Sequence, residues 1–153
     1  MTECQTASIH ELDVIKRLVD AGTIVIACGG GTPVYQDPVT GWEGIEVVID
    51  KDLAAAVLAR DLGATLLLIL TDVDAVYADW GKAGQRALRT LSAGEGEQLE
   101  GEGAFGEGSM APRIRAAIDF VRRTGGRAII TELSRGRQAV RGEAGTTITA
   151  EKA

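Results

Sequence analysis

The sequence is short of the residues from which histidine-based and thiol-based sites are built. It contains 1 histidine and 2 cysteines among 153 residues. A single histidine cannot form a histidine metal cluster, and the chain offers no serine or cysteine triad. Two cysteines do not make a disulfide framework at this length. Cys28 lies inside an apolar run, so it is expected to be a buried thiol.

Long apolar segments and an excess of positive charge are also missing. No uncharged apolar run approaches the ~20 residues that a membrane-spanning helix needs, and the start of the chain has no apolar centre of a signal peptide. The formal net charge is −6 and the isoelectric point is about 4.8. This charge argues against nucleic acid or an anionic membrane bound through a broad basic surface. We therefore expect a cytoplasmic protein with neither nucleic-acid nor membrane partners.

The residues that are present are typical of one folded domain spanning 1–153. Hydrophobic residues make up 45% and charged residues 25% of the chain, and the mean hydropathy is +0.07. Glycine is the unusual count, at 20 residues. A stretch rich in glycine and glutamate, 81–107, is expected to be a loosely ordered insertion, because glycine weakens helices.

Apolar periodicity and stop signals predict helices that alternate with strands. Helices are predicted over 9–20, 51–62, 109–125 and 134–140. Strands are predicted over 23–28, 65–70, 128–131 and 146–148, with a hairpin or irregular excursion at 33–50. Asp50 and Ser109 are expected to cap the helices that follow them. The alternation predicts an α/β fold with a mainly parallel sheet flanked by helices on both faces.

Ligands of such sheets bind beyond the carboxyl ends of the strands, which directs attention to the loops there. Gly29, Gly30 and Gly31 follow the predicted strand 23–28, where their backbone N–H groups could approach an anion or simply form a tight turn. Lys51 and Asp52 begin a predicted helix. A helix start with a lysine suits a polyphosphate, although plain capping explains the same residues equally well.

A second group of polar residues follows the most apolar predicted strand. Asp72 and Asp74 could bind a ribose, a nucleotide-associated metal or the loop backbone. The ring of Tyr77 could stack on a base or pack in the core. Ser109 and Arg113 open another helix, a second place where a phosphate could bind.

Five segments in order resemble the carboxyl-terminal half of the carbamate kinases, which belong to the amino acid kinase family. They are IVIACGGG at 24–31, VVIDKDLAAAVLA at 47–59, LLLILTDVDAVY at 66–77, GSMAPRIRAAIDFV at 108–121 and RAIITEL at 127–133. The resemblance implies the sandwich of that family, as seen in acetylglutamate kinase. It also implies reversible phosphoryl transfer between ATP and carbamate, giving carbamoyl phosphate and ADP, and a place in arginine metabolism.

The resemblance also implies roles for individual residues. Lys51 would contact the phosphates of ATP and Asp52 would orient the cations around them, while Arg113 stands where the family has a lysine. Mg²⁺ would accompany ATP, bound mostly through phosphates and water. Gly29, Gly30 and Gly31 would face the phosphoryl acceptor. The nucleotide pocket would be lined by Thr71, Asp72, Val73, Asp74, Tyr77, Ser109 and Met110.

Members of that family are about twice as long, so the resemblance implies that their amino-terminal half is absent from this sequence. That half supplies much of the acceptor pocket. The expected partners are therefore a nucleotide and carbamate or carbamoyl phosphate, together with a second copy of the chain or a separate amino-terminal half. The alternative function is a non-catalytic nucleotide-binding module or a truncated remnant.

Overall fold

The computed structural model describes residues 8–28, 32–106 and 108–151, which form five α-helices and eight strands. In chain order these are α1 (Leu12–Asp20), β1 (Val34–Asp37), β2 (Gly41–Gly44), α2 (Lys51–Asp61), β3 (Leu66–Thr71), β4 (Val76–Ala78), β5 (Arg86–Leu88), β6 (Thr90–Ser92), α3 (Ala93–Gly101), α4 (Met110–Thr124), β7 (Arg127–Glu132), α5 (Gly136–Val140) and β8 (Thr146–Thr149). A single 3₁₀ turn, Leu133–Arg135, precedes α5. None of these helices is long and apolar enough to cross a lipid bilayer.

A four-stranded sheet in the order β3-β7-β8-β6 forms the centre of the fold. β3 pairs with β7 and β6 with β8 in parallel, whereas β7 and β8 run antiparallel. Two hairpins, β1–β2 and β4–β5, lie outside this sheet. The prediction of an α/β fold with a mainly parallel sheet is confirmed. The β1–β2 hairpin accounts for the turn residues within 33–50.

Helices cover both faces of the sheet because side chains of β3 and β7 alternate in direction. Leu67 and Ile69 of β3 belong to the core that α4 closes, together with the fully buried Phe120 and Ile114. On the opposite face α5 comes close to β3. A β-carbon added at Gly136 would lie 3.3 Å from Cδ2 of Leu70. Helices on both faces were predicted, and this arrangement is confirmed.

The two predicted helix caps differ. Asp50 has extended backbone, and its carboxylate accepts hydrogen bonds from the N–H groups of Asp52 and Leu53 at 2.8 and 3.0 Å. Ser109 has helical backbone and makes no capping bond. The prediction that Ser109 caps α4 is therefore wrong. A side chain reaches back to the first turn only from an extended residue, and the Ser109 hydroxyl instead accepts a hydrogen bond from Arg113.

Replacing Asp50 with alanine is expected to lower the free energy of unfolding by about 1 kcal/mol, because two N–H groups at the start of α2 lose their acceptor. Ser109→Ala is the matched control at the other helix start and should change it by less than about 0.5 kcal/mol. Urea unfolding of both variants measures the difference. A loss of less than about 0.5 kcal/mol in Asp50→Ala would show that its two capping bonds contribute nothing measurable.

The prediction of a buried strand over 23–28 is wrong. This segment pairs with no strand among the described residues, and the side chains of Ile24 and Ile26 are 94% and 99% exposed. Cys28 is only half-buried, so the expected buried thiol is not found either. An apolar run becomes a strand only where a neighbouring backbone satisfies its N–H and C=O groups.

The stretch 81–107, for which loose order is predicted, holds β5, β6 and α3 within its described part. A capping box begins α3, in which Ser92 and Glu95 bond to each other's backbone N–H groups. Gly96 of α3 packs against α4, and a β-carbon there would lie 2.8 Å from Cδ1 of Ile118. This glycine therefore permits a close helix contact.

Candidate functional site

The starts of α2 and α4 meet at a single carboxylate. Oδ2 of Asp52 lies 3.2 Å from Nζ of Lys51 and 3.6 Å from Nε of Arg113. The side chains of Asp52 and Arg113 are each 14% exposed, whereas that of Lys51 is 63% exposed. Two cations thus share one anion at adjacent helix N-termini. The two cations, together with the positive ends of the two helix dipoles, suit an incoming anion.

Arg113 is held in place from two sides. Besides its ion pair with Asp52, its NH1 group donates a hydrogen bond to Oγ of Ser109 at 2.9 Å. A guanidinium that is fixed in this way presents its remaining N–H donors in a defined plane. Ser109 therefore belongs to the site by orienting a cation.

The loop after β3 brings Asp72 to the same place. The pKa of the Asp72 carboxyl is held below its usual range, first by the hydrogen bond from the Thr71 hydroxyl at 2.8 Å. A hydrogen bond from its own backbone N–H and the charge of Arg113 lower the pKa further. Asp72 is therefore ionised at neutral pH and lies within the electrostatic reach of Arg113.

Thr71→Val is expected to raise the pKa of Asp72 toward that of a free aspartate, because the largest cause of the shift disappears. In the native protein the folded-state pKa lies below the unfolded one. Asp72 therefore stabilises the fold above the unfolded pKa, and this contribution is lost as the pH falls through the folded pKa. Carbon-13 NMR titration of the Asp72 carboxyl measures the change. An unchanged midpoint would exclude the hydroxyl as the cause.

Asp74, two residues after Asp72, anchors an aromatic group. Its Oδ1 accepts a hydrogen bond from the Tyr77 hydroxyl at 2.8 Å, and its Oδ2 lies 3.9 Å from NH2 of Arg89. The Asp74 hydrogen bond is the main cause that raises the pKa of Tyr77, so this phenol stays protonated. The ring of Tyr77 contacts that of Trp80 edge to face, with centroids 5.0 Å apart.

The structure thus brings most of the predicted site residues to the carboxyl end of β3 and the starts of α2 and α4. Val73 is half-buried in the loop between Asp72 and Asp74, and Met110 packs against the core at the first residue of α4. Gly29, Gly30 and Gly31 lie outside the described residues, so their predicted position at the acceptor stays a prediction. The binding and catalytic roles of all these residues stay predictions too.

Two residues of the group around Asp74 are not predicted from the sequence. Trp80 follows β4, and its side chain is 59% exposed. Arg89 lies between β5 and β6 and reaches Asp74 only because the β4–β5 hairpin folds back. A second aromatic residue three positions after Tyr77 was a signal for Trp80 in the sequence. Nothing in the neighbouring sequence indicates that Arg89 contacts Asp74.

A cavity of about 970 Å³ lies at the opposite end of the strands. Its lining includes Arg60, Arg123 and Arg127, but none of the predicted site residues. The ends of α2 and α4 flank it, and helix C-termini carry partial negative charge, which disfavours anions. Two of its arginines are also neutralised by neighbouring carboxylates, Arg60 by Asp61 and Arg123 by Asp119. The cavity is therefore a poor phosphate site despite its size.

Carboxylates at the site do not form a cage for a metal. Among the described residues no group of three or more histidine, cysteine, aspartate or glutamate side chains could hold a metal ion. Asp52 is engaged by two cations, which leaves Asp72 as the exposed carboxylate beside them. A divalent cation here would need most of its ligands from a bound anion or water.

Comparison with known proteins gives consistent matches. The profile described as the amino acid kinase family matches residues 2–132. The carbamate kinase of Haemophilus influenzae is 45% identical over 142 residues, which are 92% of this chain and 44% of that protein. The carbamate kinase of Halobacterium salinarum is 47% identical over 141 residues, 92% of this chain and 46% of that protein.

A solved structure shows the same likeness in three dimensions. The carbamate kinase of Giardia lamblia bound to AMP-PNP superimposes with a TM-score of 0.93 at 39% identity, covering 99% of this chain and 53% of that one. The chain therefore spans about half the length of the curated relatives it matches.

Proposed function

Because this chain belongs to the amino acid kinase family and matches one half of carbamate kinase, we propose that it supplies the nucleotide side of a carbamate kinase. The reaction is reversible phosphoryl transfer between ATP and carbamate, which gives carbamoyl phosphate and ADP. One observation carries the proposal. Asp52 joins Lys51 and Arg113 at two adjacent helix N-termini, within reach of the ionised Asp72.

Lys51 and Arg113 would stabilise the charge that develops on the phosphoryl oxygens during transfer. Phosphoryl transfer depends mainly on positioning and charge stabilisation, so fixed cations are what the reaction requires. Asp52 would hold both cations without bonding to the phosphates itself. Arg113 keeps the charge of the lysine that the resemblance implies at this position, and its planar donors can bind two phosphate oxygens at once.

The residues after β3 and at the start of α4 would bind the nucleoside. Tyr77 and Trp80 form an aromatic pair in which the exposed Trp80 ring suits a base, and Asp74 fixes the tyrosine hydroxyl. The remaining nucleotide contacts are proposed for Thr71, Asp72, Val73, Ser109 and Met110. Mg²⁺ bound with the nucleotide would neutralise phosphate charge, and Asp72 is the exposed carboxylate placed to approach it. Gly29, Gly30 and Gly31 would face the acceptor.

We propose that the acceptor side is completed by another polypeptide unit, either a separate amino-terminal half or a second copy of the chain. The exposed Ile24 and Ile26 support this, because an uncovered run of β-branched residues favours pairing with a partner backbone. β3 is also an edge strand of the central sheet. The same observations favour a second candidate function, a nucleotide-binding module without turnover, when no partner is present.

Two measurements on the purified chain test the proposal. The first is the affinity for MgADP by isothermal titration calorimetry. The second is ATP formation from carbamoyl phosphate and MgADP, with and without the amino-terminal half of the Halobacterium salinarum carbamate kinase. Binding with turnover only in the mixture supports the proposal, and binding without turnover in either supports the module. Failure to bind MgADP at millimolar concentration would contradict both.

A further inference from the structure

Two fully buried threonines lie behind the candidate site. Thr131 of β7 and Thr146 of β8 are the buried polar side chains among residues 8–28, 32–106 and 108–151, and each is 0% exposed. A buried hydroxyl costs free energy unless it is hydrogen-bonded, so the partners of these two side chains indicate what they stabilise. Both are bonded to the segment that follows β3.

The contacts hold this segment at two points. Oγ1 of Thr131 donates a hydrogen bond to the carbonyl oxygen of Asp74 at 3.3 Å. Oγ1 of Thr146 accepts one from the backbone N–H of Val76 at 2.8 Å and donates one to the carbonyl oxygen of Leu88. The hydroxyls therefore tie the loop and the β4–β5 hairpin to the central sheet.

The backbone held in this way carries the aromatic group of the site. The Asp74 carboxylate accepts a hydrogen bond from the Tyr77 hydroxyl, and the Tyr77 ring contacts that of Trp80. Val76 lies between Asp74 and Tyr77 in the chain. A shift of the backbone at residues 74 and 76 would therefore move the carboxylate and both rings together.

We propose that Thr131 and Thr146 are positioning residues that fix the Asp74–Trp80 segment in the geometry that binds the nucleotide. The inference rests on the proposed function. Neither hydroxyl touches solvent, so each acts through the backbone it holds. Loss of either hydroxyl loosens the segment, and the ordering of that segment must then come from the binding free energy.

The test uses valine, which keeps the shape of threonine and removes its hydroxyl. The chain contains two tryptophans, Trp42 and Trp80. Thr131→Val and Thr146→Val are therefore made in a Trp42→Phe background, in which Trp80 is the single tryptophan. Thr131→Ser and Thr146→Ser restore the hydroxyl. Thr147→Val is the matched control, because Thr147 is the next residue of β8 and its hydroxyl makes no hydrogen bond to the part of the chain that the structure describes.

Thr131→Val is expected to raise the Kd for MgADP about fivefold to tenfold, the value of one hydrogen bond. Thr146→Val removes two hydrogen bonds and should raise the Kd by at least as much. Acrylamide quenching of Trp80 should increase at the same time. The serine variants should return both readouts to near the parent values, and Thr147→Val should leave them unchanged. A general loss of stability would not give this pattern, since serine is the poorer packing residue at a buried position.

Unchanged Trp80 quenching in Thr131→Val, or no recovery with serine, would overturn the inference. Thr131→Val removes a single hydrogen bond and decides the question if Thr146→Val, which removes two, fails to fold. If the parent protein does not bind MgADP, the proposed function is wrong, while the quenching of Trp80 still decides whether the threonines order the segment.

Discussion

Replacing Lys51 with alanine is expected to reduce ATP formation from carbamoyl phosphate and MgADP by at least about a hundredfold, in the mixture with an amino-terminal half that makes the wild-type chain active. The reason is electrostatic. The Lys51 side chain projects from the start of α2 and is 63% exposed, and its Nζ has Asp52 as ion-pair partner. Such a cation can follow the phosphoryl oxygens as charge develops in transfer, whereas Arg113 is held in place by Asp52 and Ser109.

Lys16→Ala is the matched control for this substitution. It removes the same charge from an exposed position on α1, and it should leave turnover unchanged. Lys51→Arg separates charge from geometry, and partial recovery is expected because a guanidinium keeps the charge but not the shape of the ammonium group. The kinetic signature should be a fall in kcat larger than the rise in KM for MgADP. Equal turnover in Lys51→Ala and wild type would show that the site assignment is wrong.

Gly145→Ala is expected to lower the free energy of unfolding by about 3 kcal/mol, because strain and overpacking add at this position. Gly145 has a φ of +80°, and a β-carbon there would lie 2.9 Å from both the carbonyl oxygen of Ile130 and Cβ of Thr131. Neither atom can move without displacing β7. The substitution therefore separates β7 from the start of β8, where Thr146 holds the loop after β3.

Gly142→Ala isolates the two causes. Gly142 has nearly the same φ, +82°, but a β-carbon there meets nothing within 4 Å. Its cost should be only that of an alanine with positive φ, about 1 kcal/mol. Urea unfolding of both variants measures the difference of about 2 kcal/mol that the close approach contributes. Equal losses would show that β7 adjusts freely, in contradiction to the packing described above.

Local patterns were sufficient for most of the elements. Apolar residues at helical spacing predict α1, α2 and α4. α1 and α2 are followed by Gly22 and Gly63, which adopt the left-handed conformation. The apolar run LLLILT, 66–71, becomes β3. The helix starts and the loop after β3 could be selected from sequence because the carboxyl ends of parallel strands carry the ligand sites of such folds.

Other features depend on contacts between distant parts of the chain. The run TIVIAC, 23–28, has the composition of a strand, yet no described neighbour pairs with it, so local preference alone does not make it one. Ser109 has the composition of a cap, but Arg113 takes its hydroxyl. Arg89 reaches Asp74 through the turn of a hairpin, which nothing in its immediate sequence indicates.

The family, the α/β fold class and the charged residues of the candidate site are all predictable from the order of the amino acids. Two features become visible only in the folded chain: Asp52 lies between Lys51 and Arg113, and Thr131 and Thr146 bond to the loop after β3. The two kinds of feature differ in the sequence separation over which their interactions act. Helix periodicity and turn chemistry act over a few residues, whereas the Thr146–Val76 hydrogen bond joins residues 70 positions apart and exists only after the sheet has formed.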